Sequence, residues 1–476
     1  MALALILEIF FASCSNKDEF KSNISAQIDS GFLTNSKNIS AQIPQDNWWF
    51  EFNDKTLNYL VNLGLKNNKE IAISNAAILT SRQLNNIQIS SILPSASLKL
   101  GRQRFSSPAF GANGVAYDIY QSSFDAAWEL DLFGKNLDRV RGGKLRFLKE
   151  IQLYKILSLR VSSEIARNYV ELQTTKKQIS NLRQIILLRQ KILDIVAQKE
   201  KNGTVSKIET HNAQINANSA LIQLVELETQ AKVLSFKLAV LIGETPEKII
   251  EILQNSDSSQ ILNYDSGVVP VGLKSDILRR RGDIIAAEYE IDAAVFDKKA
   301  QFKEFFPSFN LTATIGGGAK NLGDIFKDGA NVKDIRGFVS VPIFQSGRLI
   351  AEYKISKTKA KIAVLNYEKT VLQALEECES QLVRYINSLQ IENAANQQSQ
   401  ASNNIFKINQ NKKRLGAINS EQLFATQISS LNLQNQFLQK KSQSLDNLIA
   451  LHKAIGGGFE GYEMTFKKDK IEWIKK

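Results

Sequence analysis

One short stretch of this 476-residue chain occurs twice, first as Pro94-Ser95-Ala96-Ser97-Leu98 and again as Pro307-Ser308-Phe309-Asn310-Leu311. The two copies are 213 positions apart (307 − 94), and the same separation relates other residues without a gap. The same 213 positions separate Gly134 from Gly347, Gly203 from Gly416, and Ile242-Gly243 from Ile455-Gly456. Proline and glycine each mark a specific backbone conformation, so their recurrence at one spacing indicates a tandem duplication of one long supersecondary unit.

Long spans of each copy contain neither proline nor glycine, namely 144–202 and 204–242 in the first and 348–415 and 417–455 in the second. Such spans, rich in Leu, Ile, Ala, Gln, Lys and Glu, predict continuous helices. A helix of about 60 residues would be about 90 Å long at 1.5 Å per residue. Each copy then folds back at a single glycine, which predicts a long helical hairpin with a tight tip.

The remaining part of each copy alternates apolar and polar residues, as strands do. The pattern follows Pro94 and Pro307, and it recurs in the predicted second strands 120–128 and 338–343. Alternation over about ten residues is the weak signature of an outer-membrane barrel strand. Four strands cannot close a barrel that leaves a channel, so several chains would have to contribute to one barrel. The predicted order in each copy is helix, strand, strand, helical hairpin.

Composition excludes several classes of protein. The net charge is +12, but Lys and Arg are scattered among Asp and Glu, which argues against nucleic-acid binding. Beyond the first residues, no stretch of about 18 apolar residues predicts a transmembrane helix, so any membrane-spanning part would be a closed β-barrel. Only two histidines, His211 and His452, are present, and no phosphate-binding glycine loop occurs. We therefore expect no enzyme activity, no metal site and no cofactor.

The two cysteines predict different roles. Cys378 lies within a helical pattern and is expected to be a small packed side chain. Cys14 follows a short apolar run and the small pair Ala12-Ser13. That arrangement is typical of a signal peptide, residues 1–13, whose cleavage leaves a lipid-modified cysteine. The alternative is that residues 1–13 are a disordered or buried start.

Five motifs then occur in an order that resembles the TolC-like outer-membrane efflux proteins. They are Trp128-Glu129-Leu130-Asp131-Leu132-Phe133-Gly134-Lys135, Ile277-Leu278-Arg279-Arg280-Arg281-Gly282-Asp283-Ile284, Phe306-Pro307-Ser308, Val341-Pro342-Ile343-Phe344 and Ala454-Ile455-Gly456-Gly457-Gly458-Phe459. The likeness runs from about Trp48 to Gly458. The most similar subgroup comprises the lipid-anchored outer-membrane channels of resistance-nodulation-division efflux systems.

The resemblance implies a fold that is mainly α with β, in the form of a trimeric channel-tunnel. Each chain of the homotrimer would give four strands to a shared 12-strand outer-membrane β-barrel and long helical hairpins to a periplasmic α-barrel. The implied partners are outer-membrane lipid, a periplasmic adaptor protein and an inner-membrane efflux pump. The implied function is passive export of drugs or other toxic small molecules. The alternatives are the outer-membrane channel of a type I protein secretion system and, in another class, a soluble coiled-coil structural protein.

The same resemblance implies roles for particular residues. Cys14 would carry the lipid anchor. The hairpin tips that meet the adaptor would be Gly203, Thr204, Val205 and Ser206 in the first copy and Gly416, Ala417, Ile418 and Asn419 in the second. Just past the second tip, family members have an apolar residue and then an aspartate about one turn later, whereas this chain has Glu421 and Ala425. We expect Glu421 to narrow or charge the periplasmic mouth, with Leu423 and Phe424 packing behind it, or else to be a solvated surface residue. A ring of three such carboxylates would favour cations.

These expectations divide the chain into six segments. They are the signal peptide 1–13, an N-terminal segment 14–55, the first repeat 56–246, a linker 247–268, the second repeat 269–459 and a basic tail 460–476. The part of this tail from Lys467 to Lys476 lies past the end of the family and is expected to be disordered. Gly282 stands where the family usually has proline, a departure that concerns only the local bend.

Overall fold

The computed structural model describes residues 22, 31–33, 39–40, 42, 47–107, 115–254, 260–265, 267–457, 462–467 and 470–475. Nine α-helices lie within these ranges: α1 (Lys55–Asn67), α2 (Lys69–Ser90), α3 (Lys135–Lys201), α4 (Lys207–Ile242), α5 (Pro246–Gln254), α6 (Lys274–Arg280), α7 (Gly282–Lys303), α8 (Arg348–Arg414) and α9 (Ser420–Ala454). Helices α3 and α8 each have 67 residues, and each is followed after a short turn by a second long helix. The two predicted helical hairpins are therefore present.

Within the described residues, eight strands accompany the helices: β1 (Ile39–Ser40), β2 (Ser95–Ser107), β3 (Val115–Leu130), β4 (Val269–Pro270), β5 (Ser308–Ala319), β6 (Asn331–Ser340), β7 (Tyr462–Lys467) and β8 (Lys470–Lys475). One antiparallel sheet has the order β2-β3-β5-β6, and β1 pairs in parallel with β4. Each repeat contains helix, strand, strand and helical hairpin, as predicted. The prediction of residues 338–343 as the second strand of the second repeat was wrong in its bounds. Strand β6 runs from Asn331 to Ser340, and Ser340 pairs with Ser308, the first residue of β5. Beyond that point Pro342 has no N–H to give to a ladder.

The C-terminal tail differs from the expectation of disorder. Strands β7 and β8 pair antiparallel, with Tyr462 opposite Lys475 and Lys467 opposite Lys470. Alternating apolar residues in both strands, Met464 and Phe466 in β7 and Ile471 and Trp473 in β8, favour an extended backbone over a disordered one.

The chain divides into two compact units, which are described separately. The sheet unit comprises Met1–Asn23, Ala76–Gln152 and Ala286–Lys369, and it contains the four-stranded sheet. The hairpin unit comprises Ile24–Asn75, Leu153–Ile285 and Thr370–Lys476. Among the described helices, none combines the length and the apolar character needed to cross a membrane.

In the sheet unit, charged residues hold α3 against α7. Lys149 Nζ lies 3.0 Å from a carboxylate oxygen of Glu290, and Arg146 forms an ion pair with Asp297. The helices approach closely at Gly142, where a Cβ would lie 3.1 Å from an oxygen of Asp297. Most cations of this interface belong to α3 and most anions to α7, so the two helices attract each other along their length.

In the hairpin unit, the core begins at a short 3₁₀ turn, Trp48–Phe52, whose Trp48, Trp49 and Phe52 are buried. Helix α1 follows, and its N-cap Asp54 accepts a hydrogen bond of 2.9 Å from the Leu57 amide. The buried Asp54 carboxylate also accepts hydrogen bonds from the Tyr169 hydroxyl (3.1 Å) and the Gln260 amide (3.0 Å). One carboxylate thus joins α1, α3 and the segment before β4, because a buried charge needs several donors.

Candidate functional site

The first hairpin tip, between α3 and α4, is closed by a Schellman motif. Gly203 has φ +70° and donates from its amide to the Glu200 carbonyl at 2.9 Å, while the Thr204 amide donates to the Lys199 carbonyl at 2.9 Å. The Thr204 hydroxyl donates to the same Lys199 carbonyl, also at 2.9 Å. These bonds satisfy carbonyls that the end of a helix would otherwise leave unpaired. The tip can therefore be short, with Gly203, Thr204 and Ser206 exposed and Val205 half-buried.

The second tip, between α8 and α9, has the same backbone. Gly416 has φ +76° and donates to the Lys413 carbonyl at 3.0 Å, and Ala417 donates to the Lys412 carbonyl at 2.8 Å. Every one of these residues lies 213 positions after its counterpart in the first tip. The repeat therefore extends from the sequence to the hydrogen bonds of the two tips.

Helix α9 begins with a capping box that α4 lacks. The Asn419 side chain accepts a hydrogen bond of 2.8 Å from the Gln422 amide, and the Gln422 side chain accepts one of 3.3 Å from the Asn419 amide. At the matching position of α4, Ser206 makes no such side-chain bond. The start of α9 is thus held more firmly than the start of α4.

Just past the second tip, Glu421 forms an ion pair with the other hairpin. Lys199 Nζ lies 2.6 Å from Glu421 Oε2, and both side chains are about one third exposed. Glu421 lies in the first turn of α9 and Lys199 in the last turn of α3, where the helix dipoles favour a negative and a positive charge respectively. The ion pair joins α3 to α9 next to the tips.

Behind Glu421, the Phe424 side chain is also in contact with α3. The Lys191 ammonium lies 5.7 Å from the centre of the Phe424 ring, a cation–π distance. Leu423 is half-buried, and Ala425 is exposed. Because Lys199 pairs with Glu421, the carboxylate is not an isolated negative charge.

Further from the tips, α3 and α9 meet through polar side chains. The Asn181 amide donates to the Asn435 side-chain oxygen at 2.8 Å, and Arg167 Nη2 donates to Asp446 Oδ2 at 2.9 Å. A cleft of about 620 Å³ lies between α3, α4 and α9. It is lined mainly by amide, hydroxyl and charged side chains, among them Asn168, Thr174, Gln230, Gln439 and Ser442. Polar contacts can be exchanged for water at a small net cost in free energy, unlike a dry apolar core.

The opposite end of α9 is held rigidly by Arg281. This residue lies in the break between α6 and α7, and its guanidinium donates to Asp283 (2.7 Å), Glu377 (2.8 Å) and the Ala454 carbonyl (2.7 Å). Burial alone would lower the pKa of Arg281, but the hydrogen bond to Asp283 and the charges of Asp283 and Glu377 raise it. The Cys378 thiol donates to the same carbonyl of Ala454 at 3.0 Å, and burial raises its pKa to about 12. The prediction of a packed Cys378 is confirmed.

The predicted site residues fall into three groups. The eight tip residues lie in the two turns, and Glu421 and Leu423 lie in the first turns of α9 beside α3. Cys14 lies outside the described residues. Sequence reasoning missed Lys199, for which no local signal exists, and the Asn419–Gln422 capping box, which the spacing Asn-x-x-Gln could have revealed. In the part of the chain that the structure describes, no group of three His, Cys, Asp or Glu side chains could hold a metal ion.

Comparisons with known proteins give a consistent result. The family model described as "Outer membrane efflux protein" matches residues 60–244 and 273–457, two ranges that are themselves 213 positions apart. The chain is 26% identical over 484 residues to the multidrug resistance outer membrane protein MdtQ of Escherichia coli O157:H7, covering 95% of this chain and 97% of MdtQ. It is 25% identical over 425 residues to the toluene efflux pump outer membrane protein TtgF of Pseudomonas putida, covering 87% and 86%.

Solved structures share the fold. The CmeC outer membrane channel of Campylobacter jejuni matches with a TM-score of 0.81 at 24% identity, over 92% of each chain. The open state of the MtrE outer membrane channel of Neisseria gonorrhoeae matches with a TM-score of 0.79 at 21% identity, over 91% of this chain and 96% of MtrE. At these levels of identity the structures establish the fold.

Proposed function

Because the chain is a member of the outer membrane efflux protein family, we propose that it is the outer-membrane exit duct of a tripartite efflux system. The duct is passive: it carries small molecules from an inner-membrane pump and a periplasmic adaptor across the periplasm and the outer membrane. The family match over both repeats is the observation that carries this proposal. The chain's similarity to MdtQ and TtgF, whose names refer to multidrug resistance and toluene efflux, supports drugs and other toxic compounds as cargo.

The active form is a homotrimer. In the four-stranded sheet, β2 and β6 are the outer strands, and each has one edge without a partner strand among the described residues. Such an edge lying in lipid would leave its N–H and C=O groups unpaired at a high cost in free energy. Three copies joined edge to edge form a barrel of twelve strands. The four long helices of each copy, α3, α4, α8 and α9, add up to twelve helices in the trimer. A closed ring has no free edge.

The tips are the adaptor-docking surface and the Glu421 region is the periplasmic constriction. Each tip is narrow because its glycine adopts a left-handed conformation, and its polar backbone groups are already satisfied by the Schellman bonds. Such a tip can enter a groove on a partner protein without leaving unpaired groups behind. The Lys199–Glu421 ion pair holds the two hairpins of one chain together at rest, and engagement of the tips separates them.

Cys14 is the lipid anchor. The short apolar run before it and the small residues Ala12 and Ser13 support removal of residues 1–13 and acylation of the new N-terminus. Mass spectrometry of the purified protein would show an N-terminal diacylglyceryl cysteine. A Cys14→Ala variant is expected to lose the lipid and to keep the channel, since the strands supply the membrane-spanning part.

The proposed function is tested by reconstituting the purified, detergent-extracted protein in planar lipid bilayers. We expect discrete conductance steps from a trimer of constant size. Deletion of the gene in its host is expected to raise intracellular retention of a fluorescent efflux substrate, and the wild-type gene to reverse that effect. Bilayers that stay impermeable to small ions, together with a purely monomeric protein, would contradict the proposal.

A further inference from the structure

We propose that the seam between two copies has a defined register, in which β6 of one copy pairs antiparallel with β2 of the next and Arg336 lies opposite Gln103. This inference rests on the proposed homotrimer and specifies its interface. It also assigns the helix contact beside the seam, between α8 of one copy and α2 of the next.

The first support is that the strand register of the first β-hairpin, β2-β3, matches that of the second, β5-β6, when 213 is added to each residue number. In the first copy Ser95 pairs with Ala127, and in the second Ser308 pairs with Ser340. Adding 213 to both members of the first pair gives the second pair. The repeat therefore relates the two halves of the sheet residue by residue, in hydrogen bonding as well as in sequence.

The second support is the pairing at the centre of the sheet, where the second strand of the first repeat meets the first strand of the second. Here Ser123 lies opposite Gly316 and Trp128 opposite Leu311. Moving β3 forward by 213 positions places it on β6, and moving β5 back by 213 places it on β2. The pair Ser123–Gly316 then becomes Arg336–Gln103. If the same junction recurs around a ring, it must join β6 of one copy to β2 of the next.

The charges of the two outer strands are compatible with this register. It sets Arg336 opposite Gln103, Arg102 opposite Gly337 and Lys99 opposite Ser340, so that none of these cations faces another. A slip of two residues in one direction would instead bring Lys333 opposite Arg104, a repulsive pair. A slip of one residue would exchange the two faces of the joined strands.

The third support comes from the helices beside the sheet. Within one chain α3 packs against α7 through Gly142, Lys149 and Asp297, and Ala300 on α7 is buried. The repeat carries α3 to α8 and α7 to α2. The residues at the corresponding positions are large and apolar: Ile355 for Gly142, Ile362 for Lys149, Leu84 for Asp297 and Ile87 for Ala300.

All four of these apolar side chains are exposed in the single chain, by 54% for Ile355, 51% for Ile362, 57% for Leu84 and 61% for Ile87. The contact between α3 and α7 within one chain is made by charged and small residues. The corresponding faces of α8 and α2, which have no such partner within the described part of the chain, are apolar. Exposed apolar side chains at the positions of an existing interface indicate that a second copy of this chain covers them. The seam between copies is therefore closed by strand pairing and by this apolar helix contact together.

Disulfide trapping tests the register, because paired cysteines must have Cα atoms within about 7 Å. In a Cys378→Ala background, Gln103→Cys is combined in turn with Asp334→Cys, Arg336→Cys or Phe338→Cys, and single-cysteine variants serve as blanks. Residues directly opposite are about 4.5–5.5 Å apart, and diagonal ones about 7–8 Å. We expect mild oxidation of membranes to link the Arg336→Cys variant into dimers and trimers on denaturing gels, at several times the yield of the other two.

The possible outcomes separate this inference from the proposed function. A conducting trimer in which the Asp334→Cys or Phe338→Cys variant links best, or in which none links, overturns the register and leaves the exit duct intact. A wild-type protein that is monomeric and non-conducting overturns both.

The helix contact is tested with Ile355→Asp and Ile362→Asp, which would place charges in the apolar seam. The control is Ile350→Asp, an exposed residue about 140° around the same helix from Ile355 at 3.6 residues per turn. We expect the double seam variant to lose most of its trimer in detergent while the control keeps it. Equal trimer content in the two proteins would overturn the helix contact.

Discussion

The imidazole of His452 stacks on the indole of Trp48, with ring centroids 5.4 Å apart and an angle of 14° between the ring planes. His452 is fully buried, and burial lowers its pKa to about 4. The titratable group facing it is Glu51, whose carboxylate lies 3.6 Å from Nε2 and whose pKa is raised, also by burial. A neutral histidine is thus built into the core of the hairpin unit.

This arrangement predicts that acid destabilises the protein through His452. The unfolded chain, with a histidine pKa of about 6.5, binds more protons than the folded chain between pH 6.5 and 4. Stability is therefore lost as pH falls through that window, by up to about 3 kcal/mol for the folded-state value of about 4. Glu51 acts in the opposite direction, since its raised pKa favours the folded state as pH falls.

The measurement is the thermal unfolding midpoint in detergent at several pH values between 7 and 4. We expect His452→Gln to flatten the decline of the midpoint with acid. His211, which is exposed on α4, provides the matched control. If His211→Gln flattens the curve as much as His452→Gln, the buried imidazole is not the cause.

The Lys199–Glu421 ion pair predicts an effect on the resting channel. An ion pair this exposed contributes only about 0.2–1 kcal/mol, but a trimer would contain three of them. Glu421→Ala and Lys199→Ala are each expected to raise single-channel conductance or open probability in planar bilayers. Exchange of the charges in Lys199→Glu with Glu421→Lys is expected to restore the wild-type level.

The control is Arg183→Ala, which removes an exposed ion pair with Glu228 (2.7 Å) between α3 and α4 of a single hairpin. It is expected to leave the conductance unchanged. Unaltered conductance and ion selectivity in Glu421→Ala would remove this residue from the constriction.

Substitution of a tip glycine is expected to weaken docking to the adaptor without unfolding the protein. A Cβ at Gly416 would meet no atom within 4 Å, so the cost of Gly416→Val lies in the left-handed backbone, about 1–2 kcal/mol. The turn is expected to distort, which lowers cross-linking to the adaptor and efflux in cells while trimer content stays normal. Gly323 also has open space around it but no left-handed φ, and Gly323→Val is the matched control. Full efflux with valine at both Gly203 and Gly416 would show that the shape of the tips does not matter.

Replacement of Gly282 by proline is expected to stabilise the protein. The bend between α6 and α7 exists without the proline usual in the family, because Arg281 is extended (φ −72°, ψ 119°) and is held by its three partners. Gly282 is the first residue of α7, a position that accepts proline, and the extended Arg281 suits the residue before one. Gly282→Pro is expected to raise stability by about 0.4–1 kcal/mol by restricting the unfolded chain.

The comparison is with Gly282→Ala, which adds a Cβ but no ring. Thermal midpoints of the two variants and the wild type decide the matter. A lower midpoint for Gly282→Pro than for Gly282→Ala would mean that the ring clashes at this bend.

Much of the fold was accessible from local patterns. The positions of α3, α4, α8 and α9 follow from spans free of proline and glycine, and both tips lie at the glycines that interrupt them. The second strand of the second repeat was misplaced because the apolar residues Val341 and Ile343 continue the alternating pattern past Ser340. Its partner strand, β5, has no residue beyond Ser308 to pair with them. The tail was misjudged because its place past the end of the family suggested disorder, while its alternating apolar residues favour a strand.

The sequence by itself determined the duplication, the order of helices and strands and the family, because each depends on residues near one another in the chain or on one constant spacing. Only the tertiary structure decided which distant side chains meet. Lys199 and Glu421 lie on different hairpins, His452 and Trp48 lie at opposite ends of the chain, and Arg281 reaches the last helix. Those contacts depend on how long helices pack side by side, where a small rotation of one helix changes the neighbours of every residue on it.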